Sequence, residues 1–404
     1  MHLVHLELQE FRSYRRLDLG FDPRGIRLAG ANASGKSTLL EAIAMLATTR
    51  SPRSTAERDT INWESGTDLA VPPFARLVGI VERAAGRVEI EITMQLEPTR
   101  PGTVKKQIKL GGRLVRAMDA VGTLKAVLFS PEDVMLVSGP PANRRRYMDL
   151  TISQLDGGYL RALSRYGRVL TQRNSLLKSL ARDRVGAGSL GASQQLGFWD
   201  AELVGAGSLL VARRHATMAR LATLAADRFQ WLSGGSALTL TYRPSVDLSA
   251  LGGATLPVDA ATLIVAREYE AALAAARGDE VRRGVTLVGP HRDDVAFAVD
   301  GVDLAAFGSR GQQRLAVVAV KVAEADLMTE AAGEPPVVLL DDVLSELDAR
   351  HRSLLTQAAA AIGAQVIVTA TDESLLGGPD LAALPRAVVT VGSVEVASSP
   401  IEEN

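Results

Sequence analysis

The 404-residue sequence has no cysteine. Disulfides and thiolate metal sites are therefore excluded, and a reducing cytoplasm is the expected setting. Long apolar runs are missing too: none reaches the roughly 18 residues of a membrane span. The start, Met1-His2-Leu3-Val4-His5, lacks the basic segment and apolar core of a signal peptide. No membrane partner is expected. No heptad repeat persists over three or four turns, which excludes a long coiled coil. Net charge is also small, at −1, so bulk electrostatics do not announce a polyanion binder.

Charge is nevertheless unevenly spread. Between Ala142 and Val185 there are ten Lys or Arg against three acids, an excess of seven. Arg144, Arg145, Arg161, Arg165 and Arg168 lie in this stretch. Arg50 and Arg53 sit in a Ser/Thr/Pro-rich segment that reads as exposed, and all seven are candidate contacts for a polyanion such as a nucleic-acid backbone. Solvated helix and loop faces are the plainer reading of the same residues.

The stretch that organises the chain is Gly30-Ala31-Asn32-Ala33-Ser34-Gly35-Lys36-Ser37, followed by Thr38. It is a complete phosphate-binding loop. Gly30 and Gly35 let the backbone turn its N–H groups toward a phosphate chain, Lys36 adds a point charge, and Ser37 offers a hydroxyl to Mg²⁺. The context is right: Gly25–Ala29 reads as a short strand, and Leu39, Leu40, Ile43, Ala44 and Leu46 recur at helical spacing. Ala33 is tolerable there if its φ is negative.

Around this loop the pattern is mixed. Leu3–Leu8 alternates like an edge strand, and Phe11–Arg16 reads as a basic loop. Phe74–Met118 has period two and a Gly111-Gly112 turn, the signature of an antiparallel meander of about four strands and hence of a two-sheet head. Residues 131–283 are mainly helical, with Leu160, Leu163 and Leu170 marking one face of a helix and Arg161, Arg165 and Arg168 another. Gly186–Ser193 reads as a flexible break and 397–404 as a disordered tail.

Val337–Leu340 has the composition of a buried parallel strand, and Asp341-Asp342 stands at its C-terminal end. With a phosphate loop elsewhere, this pair reads as a Mg²⁺ site, one carboxylate holding the metal through water and the other facing an attacking water as general base. Strand alternation would separate the two side chains. Ser309-Arg310-Gly311-Gln312 opens a helix that runs to about Glu330, with Ser309 a good N-cap and the helix start a second anion nest.

Phosphate loop, Ser-x-Gly-Gln helix, acidic strand end and Ser345-Glu346-Leu347-Asp348 follow the order of the ABC-type ATPases, and the set resembles the heads of the SMC-like branch. Phe11–Tyr14, Val127–Asp133, Asn143–Tyr147, Gln172–Asn174, Gly289–Asp294 and Gly308–Arg314 add a closer likeness. In them the chain resembles the RecF family of bacterial recombination mediators. The resemblance implies an α/β fold: an ABC-type ATPase head, a P-loop NTPase with a mixed sheet plus an antiparallel meander, carrying an inserted, mainly helical lobe. The head would span 1–130 and 284–396, the lobe 131–283.

It further implies ATP and Mg²⁺ as cofactors, held between two copies. Lys36, Asp341 and Asp342 would be the catalytic residues, Ser37 and Asp341 the metal ligands, and Asp342 the base. Gly30 to Thr38, with Arg12, would bind ATP. Ser309, Arg310, Gly311, Gln312 and Asp348 would act in trans across a homodimer. The implied function is DNA binding, single- and double-stranded, at gaps or junctions in repair, replication and the SOS response to DNA damage, with a partner such as RecR and slow hydrolysis. Three departures from the wider ABC pattern fit a switch better than a motor. Arg310 replaces a glycine, Phe129–Asp133 has no glutamine, and Val366–Thr371 has no histidine. A transporter ATPase subunit and a small-molecule kinase are the competing readings. The sequence leaves His291 open as an active-site group or a structural loop histidine.

Overall fold

A computed structural model describes residues 1–67, 71–100, 102–183, 190–252 and 256–396. The expected tail, and 186–189 of the expected break, lie outside the described residues, while 190–193 of that break belong to a helix. The chain begins with β1 (His2–Phe11), β2 (Tyr14–Gly20), β3 (Gly25–Ala29) and α1 (Lys36–Thr48). The meander follows as β4 (Phe74–Glu82), β5 (Val88–Leu96), β6 (Val104–Leu110) and β7 (Arg113–Val115), then α2 (Ala117–Ala120) and β8 (Ala126–Phe129). The helical stretch comprises α3 (Met135–Ser138), α4 (Pro141–Leu155), α5 (Gly157–Arg182), α6 (Leu190–Ser233), β9 (Leu238–Arg243) and α7 (Val258–Arg283). After it come β10 (Asp294–Val299), β11 (Val302–Asp303), α8 (Leu304–Phe307), α9 (Arg310–Ala332), β12 (Val337–Asp341) and α10 (Ala349–Ile362). The chain closes with β13 (Val366–Ala370), α11 (Pro379–Ala382), β14 (Arg386–Thr390) and β15 (Ser393–Val396).

The chain divides into two compact units. One contains 1–134, 231–235 and 314–404; the other contains 135–230 and 236–313. In the first unit two six-stranded sheets lie against a shared core. One has the order β2-β1-β4-β5-β6-β7, all antiparallel, and the other β15-β14-β3-β13-β12-β8, parallel apart from β15. Between them lies α1, apolar through most of its length and buried at every position except Ser37 and Thr48. A helix buried all round shows no single apolar stripe, which is why its sequence looks hydrophobic rather than amphipathic.

Two expectations need correction here. β1 is an interior strand, paired to both β2 and β4. Its alternation marks a polar sheet face, where His5 meets Asp18 at 2.7 Å and Glu7 meets Arg76 at 3.2 Å, and says nothing about position in the sheet. Phe11–Arg16 is a hairpin rather than a loop: Phe11 pairs with Tyr14, leaving Arg12 and Ser13 as the turn.

In the second unit α5 packs on α4 and α7. Its buried face is Tyr159, Ala162, Tyr166, Val169, Arg173, Leu177 and Leu180, one step round from Leu160, Leu163 and Leu170, which are half-buried. The aromatic and arginine residues of this face displace the leucine register because they form polar contacts inside the unit. Arg173 is fully buried and donates to Asp200 (2.8 Å), Glu280 (2.6 Å) and Thr286 (2.8 Å). Residues 284–313, placed with the head by sequence, group with this unit because β10 pairs with β9 over six positions.

The Gly289-Pro290-His291-Arg292-Asp293 turn is a structural knot. Arg214 donates to Asp293 (2.9 Å), Asp149 (2.7 Å) and the Pro290 carbonyl (2.6 Å). His291 is clamped at both ring nitrogens, Nδ1 by the Tyr166 hydroxyl at 2.6 Å and Nε2 by the Thr286 carbonyl at 3.1 Å. The carbonyl can only accept, so Nε2 carries the proton and the ring is neutral. Burial, with Arg292, Arg145 and Arg173 nearby, pushes its pKa down to about 4. A histidine with a depressed folded pKa contributes stability that is present above pH 6.5 and lost as pH falls toward 4. His291→Gln should remove this dependence. Between pH 6.5 and 4 the wild-type unit should lose about 3 kcal/mol more than the variant in denaturant titrations.

Candidate nucleotide-binding site

The site is assembled by strand register. β13 lies between β3 and β12, all parallel, and the pairings Asp341↔Thr369 and Ala370↔Ala29 bring three C-terminal strand ends into one row. Ligands of open α/β sheets bind at such ends. The loop Gly30–Gly35 leaves β3 here and enters α1, whose positive dipole end points at the same place.

Within the loop each residue has a visible reason. A Cβ on Gly30 would stand 2.3 Å from the Val389 carbonyl oxygen. Gly35 has φ +110°, and a Cβ there would meet the Tyr14 hydroxyl at 2.8 Å. That hydroxyl donates to the Gly35 carbonyl at 3.2 Å, tying the β1–β2 hairpin to the loop, and burial raises the Tyr14 pKa to about 12. Ala31, Asn32 and Ala33 are exposed, while Ser34, Lys36 and Thr38 are buried. Ala33 adopts φ +62°, which corrects the expectation of a negative value. An alanine in the left-handed region is strained by about 1–2 kcal/mol.

Lys36 folds back on its own loop, donating to the carbonyls of Gly30 (2.6 Å) and Ala31 (2.8 Å). Burial lowers its pKa, opposed by the attraction of Asp342 and Asp341. Ser37 donates to Asp341 Oδ1 at 2.7 Å across the row of strand ends. Burial raises the Asp341 pKa, against the opposing hydrogen bonds from Ser37 and Thr369. Asp342 lies past the strand end in a left-handed conformation, φ +53°, so local backbone geometry rather than strand alternation separates it from Asp341. Its Oδ1 is buried without a hydrogen-bond partner. Two hard oxygen donors in contact and an unpartnered carboxylate oxygen beside them suit a small divalent cation that keeps part of its water shell.

Sequence reasoning passed over two residues that hold this arrangement. Thr369, fully buried, donates to Asp341 Oδ1 (3.2 Å) and accepts from the Asp342 N–H (3.0 Å). Its only signal was a threonine at the end of a strand of aliphatic residues. Glu41 is a wholly buried carboxylate on α1. It accepts two hydrogen bonds from Arg12 (2.6 and 3.1 Å) and one from Ser51 (2.6 Å), with Arg53 at 3.8 Å. Arg12 is thus held at the hairpin turn beside the loop, with φ +53° and its carbonyl accepting from Asn62 at 2.5 Å.

The other candidates are dispersed. Ser309 to Gln312 are all exposed and form a reciprocal cap: the Gln312 N–H donates to Ser309 Oγ (3.2 Å) and the Ser309 N–H to Gln312 Oε1 (3.0 Å). The cap uses the serine oxygen as acceptor and leaves its proton available. Asp348, exposed, caps α10 through the His351 N–H at 2.9 Å, and hydrogen bonds from His351 depress its pKa. Arg144 is buried, bonded to Asp294 (2.6 and 3.1 Å) and to the Gly139 carbonyl (2.8 Å), which removes it from the exposed basic set. Arg145 donates to the Asp293 carbonyl at 2.9 Å. Arg50, Arg53, Arg161, Arg165 and Arg168 are exposed.

Comparison with known proteins agrees with this geometry. The family model for the RecF/RecN/SMC N terminal domain matches residues 2–381. The DNA replication and repair protein RecF of Thermomicrobium roseum is 47% identical, the match covering 96% of this chain and 98% of that one. The chain belongs to the RecF family. The RecF of Chloroflexus aggregans is 45% identical over 98% of this chain and 99% of its own. A solved structure of the recombination mediator protein RecF with ATPrS superimposes with TM-score 0.83 at 26% identity over 98% of both chains. A further structure, an SMC head bound to the winged-helix domain of ScpA, matches with TM-score 0.54 at 15% identity, a likeness of fold alone. The α/β ATPase-head class expected from the RecF-like motifs is therefore the observed one.

Two substitutions probe the row of strand ends. Thr369→Val should cost about 1–3 kcal/mol by leaving the Asp342 N–H unsatisfied, and Thr369→Ser should restore most of it, read by denaturant titration. Ala33→Gly should stabilise by up to about 1 kcal/mol, since relief of left-handed strain exceeds the entropy glycine adds to the unfolded chain.

Proposed function

We propose that the protein is an ATP-gated DNA-binding protein of recombinational repair and replication-fork maintenance. The observation that carries this reading is the Ser37–Asp341 contact at the mouth of a complete phosphate loop, in a chain of the RecF family. On binding, a nucleotide triphosphate would displace the Gly30 and Ala31 carbonyls from Lys36 and take its charge. Ser37 and Asp341 would hold Mg²⁺, which supplies charge neutralisation on the phosphates. Asp342 would orient a water as base, its unpartnered Oδ1 being the acceptor. Arg12, fixed by Glu41, would stand at the hairpin beside the loop.

Ser309, Arg310, Gly311, Gln312 and Asp348 would complete the nucleotide site of a second copy. Their exposure, and the serine proton left over by the cap, support that role. Shape also favours slow turnover: Thr369, a hydroxyl without a proton-accepting ring, occupies the stretch where the sequence has no histidine. The bound state would clamp single- or double-stranded DNA at gaps or junctions and help load a recombinase, with a mediator protein such as RecR as partner. A transporter subunit is not favoured, because relatives matching the chain end to end are replication and repair proteins. Among the described residues no helix is long and apolar enough to cross a membrane.

Light scattering with and without ATP tests the trans arrangement. Lys36→Met should abolish nucleotide binding and ATP-dependent dimerisation together. Ser309→Ala should keep nucleotide affinity within about twofold and lose the dimer. A Ser309→Ala protein that dimerises like wild type would rule the arrangement out.

A further inference from the structure

The exposed face of α5 has two halves. Arg161, Arg165, Arg168, Gln172, Ser175 and Ser179 are spaced four, three, four, three and four residues apart, so they form one stripe about 27 Å long at 1.5 Å per residue. Its first half is cationic: Arg161, Arg165 and Arg168 are all exposed, and among the described residues Arg165 alone is answered, by Glu202 at 2.7 Å. Its second half is uncharged and borders a groove of about 470 Å³, lined by Gln172, Ser175, Ser179, Gln195, Phe198 and Trp199.

Phe198 is the unusual member, with 61% of its surface exposed. It stands edge-to-face on Trp199, centroids 5.0 Å apart at 75°. Leu177, Leu180, Leu196 and Val281 form a buried cluster with Leu176 packed against it, and among the described residues Phe198 is not a member. An exposed aromatic outside that cluster, beside amides and hydroxyls and next to a helix that carries arginines, presents the three contacts an unpaired nucleotide asks for. The arginines take phosphates, the ring offers a stacking face, and Gln172, Gln195, Ser175 and Ser179 reach base edges. A duplex satisfies the arginines but keeps its bases stacked inside, where Phe198 cannot meet them.

We infer that the α5 stripe and the Phe198 groove form a binding site for single-stranded DNA, with backbone along Arg161–Arg168 and an unstacked base on Phe198. The inference rests on the proposed function only in taking DNA as the ligand. A fluorescein-labelled thymidine 30-mer and a 30-bp duplex, titrated into the full-length protein with ATP and read by anisotropy between 50 and 200 mM salt, test it. Phe198→Ala should weaken the single strand about tenfold with an unchanged salt slope and leave the duplex unaffected, while Phe198→Trp should bind as wild type. Arg161→Gln with Arg168→Gln should flatten the single-strand salt slope by about 1.4, at about 0.7 per phosphate contact. If Phe198→Ala binds the single strand like wild type, or loses both ligands equally, the groove is not a base site and this inference fails while ATP-dependent duplex binding still stands. Wild-type protein that binds neither oligonucleotide would overturn both readings.

Discussion

The parallel register β3–β13–β12 is the constraint on which the nucleotide site depends. It puts Thr369 opposite Asp341 and Ala370 opposite Ala29, so the phosphate loop meets the threonine hydroxyl and the Asp341 carboxylate although it lies more than 300 positions before them. A slip of one residue would turn Asp341 into the sheet face that carries the core and send a valine or leucine toward the loop. Burial prevents the slip. Ile26, Leu28, Leu339 and Ile367 are all fully or nearly fully buried, and α1 seals the face between the two sheets, fixing the depth at which Lys36 and Ser37 emerge.

Backbone strain is concentrated around this row. Of the non-glycine residues with positive φ among those described, Arg12, Ala33 and Asp342 belong to the site or its edge, and Glu10 precedes Arg12 on its hairpin. Such conformations cost on the order of 1 kcal/mol each and persist only where neighbours dictate them. Here the dictating groups can be named. Glu41 holds Arg12 through two hydrogen bonds, Asn62 holds its carbonyl, and Thr369 holds the Asp342 N–H. An isolated carboxylate at the position of Glu41 would be expensive to bury, and the guanidinium and the Ser51 hydroxyl are what make it tolerable.

What could be read from the sequence follows from the range of the interactions. Phosphate loop, capped Ser-x-Gly-Gln helix and acidic strand end are local patterns, in which residue types a few positions apart determine the geometry, and the meander is equally local because each strand pairs with the next. The likeness to the RecF family was legible for the same reason. Glu41, Thr369 and Tyr14 act through partners that are distant in sequence or on other strands, and no spacing announces them. Position within a sheet was also invisible: β1 alternates because one face is polar, and alternation is the same for an edge strand and an interior one. Ala33 shows the limit at a single residue, since a side chain can be accepted at φ +62° when the loop on either side of it leaves no other path.

The same distinction governs the charge. Between residues 142 and 185 the sequence has an excess of seven cationic residues, yet excess is a sum and a surface is a selection. Arg144 and Arg173 are taken inside, Arg144 against the half-buried Asp294 and Arg173 against Asp200 and the buried Glu280, because a guanidinium with five donors can satisfy several acceptors at once where an apolar side chain would leave them unpaired. What remains outside on α5 is a row with a definite direction, cationic at one end and polar-aromatic at the other. A protein with net charge −1 need not be basic to hold a polyanion. It needs its carboxylates to be committed to internal partners, and those at Asp149, Asp200, Glu280, Asp293 and Asp294 are. The buried ion pairs of the helical unit therefore do two things at once: they order its interior, and they leave the local field of α5 to arginines that few acids oppose.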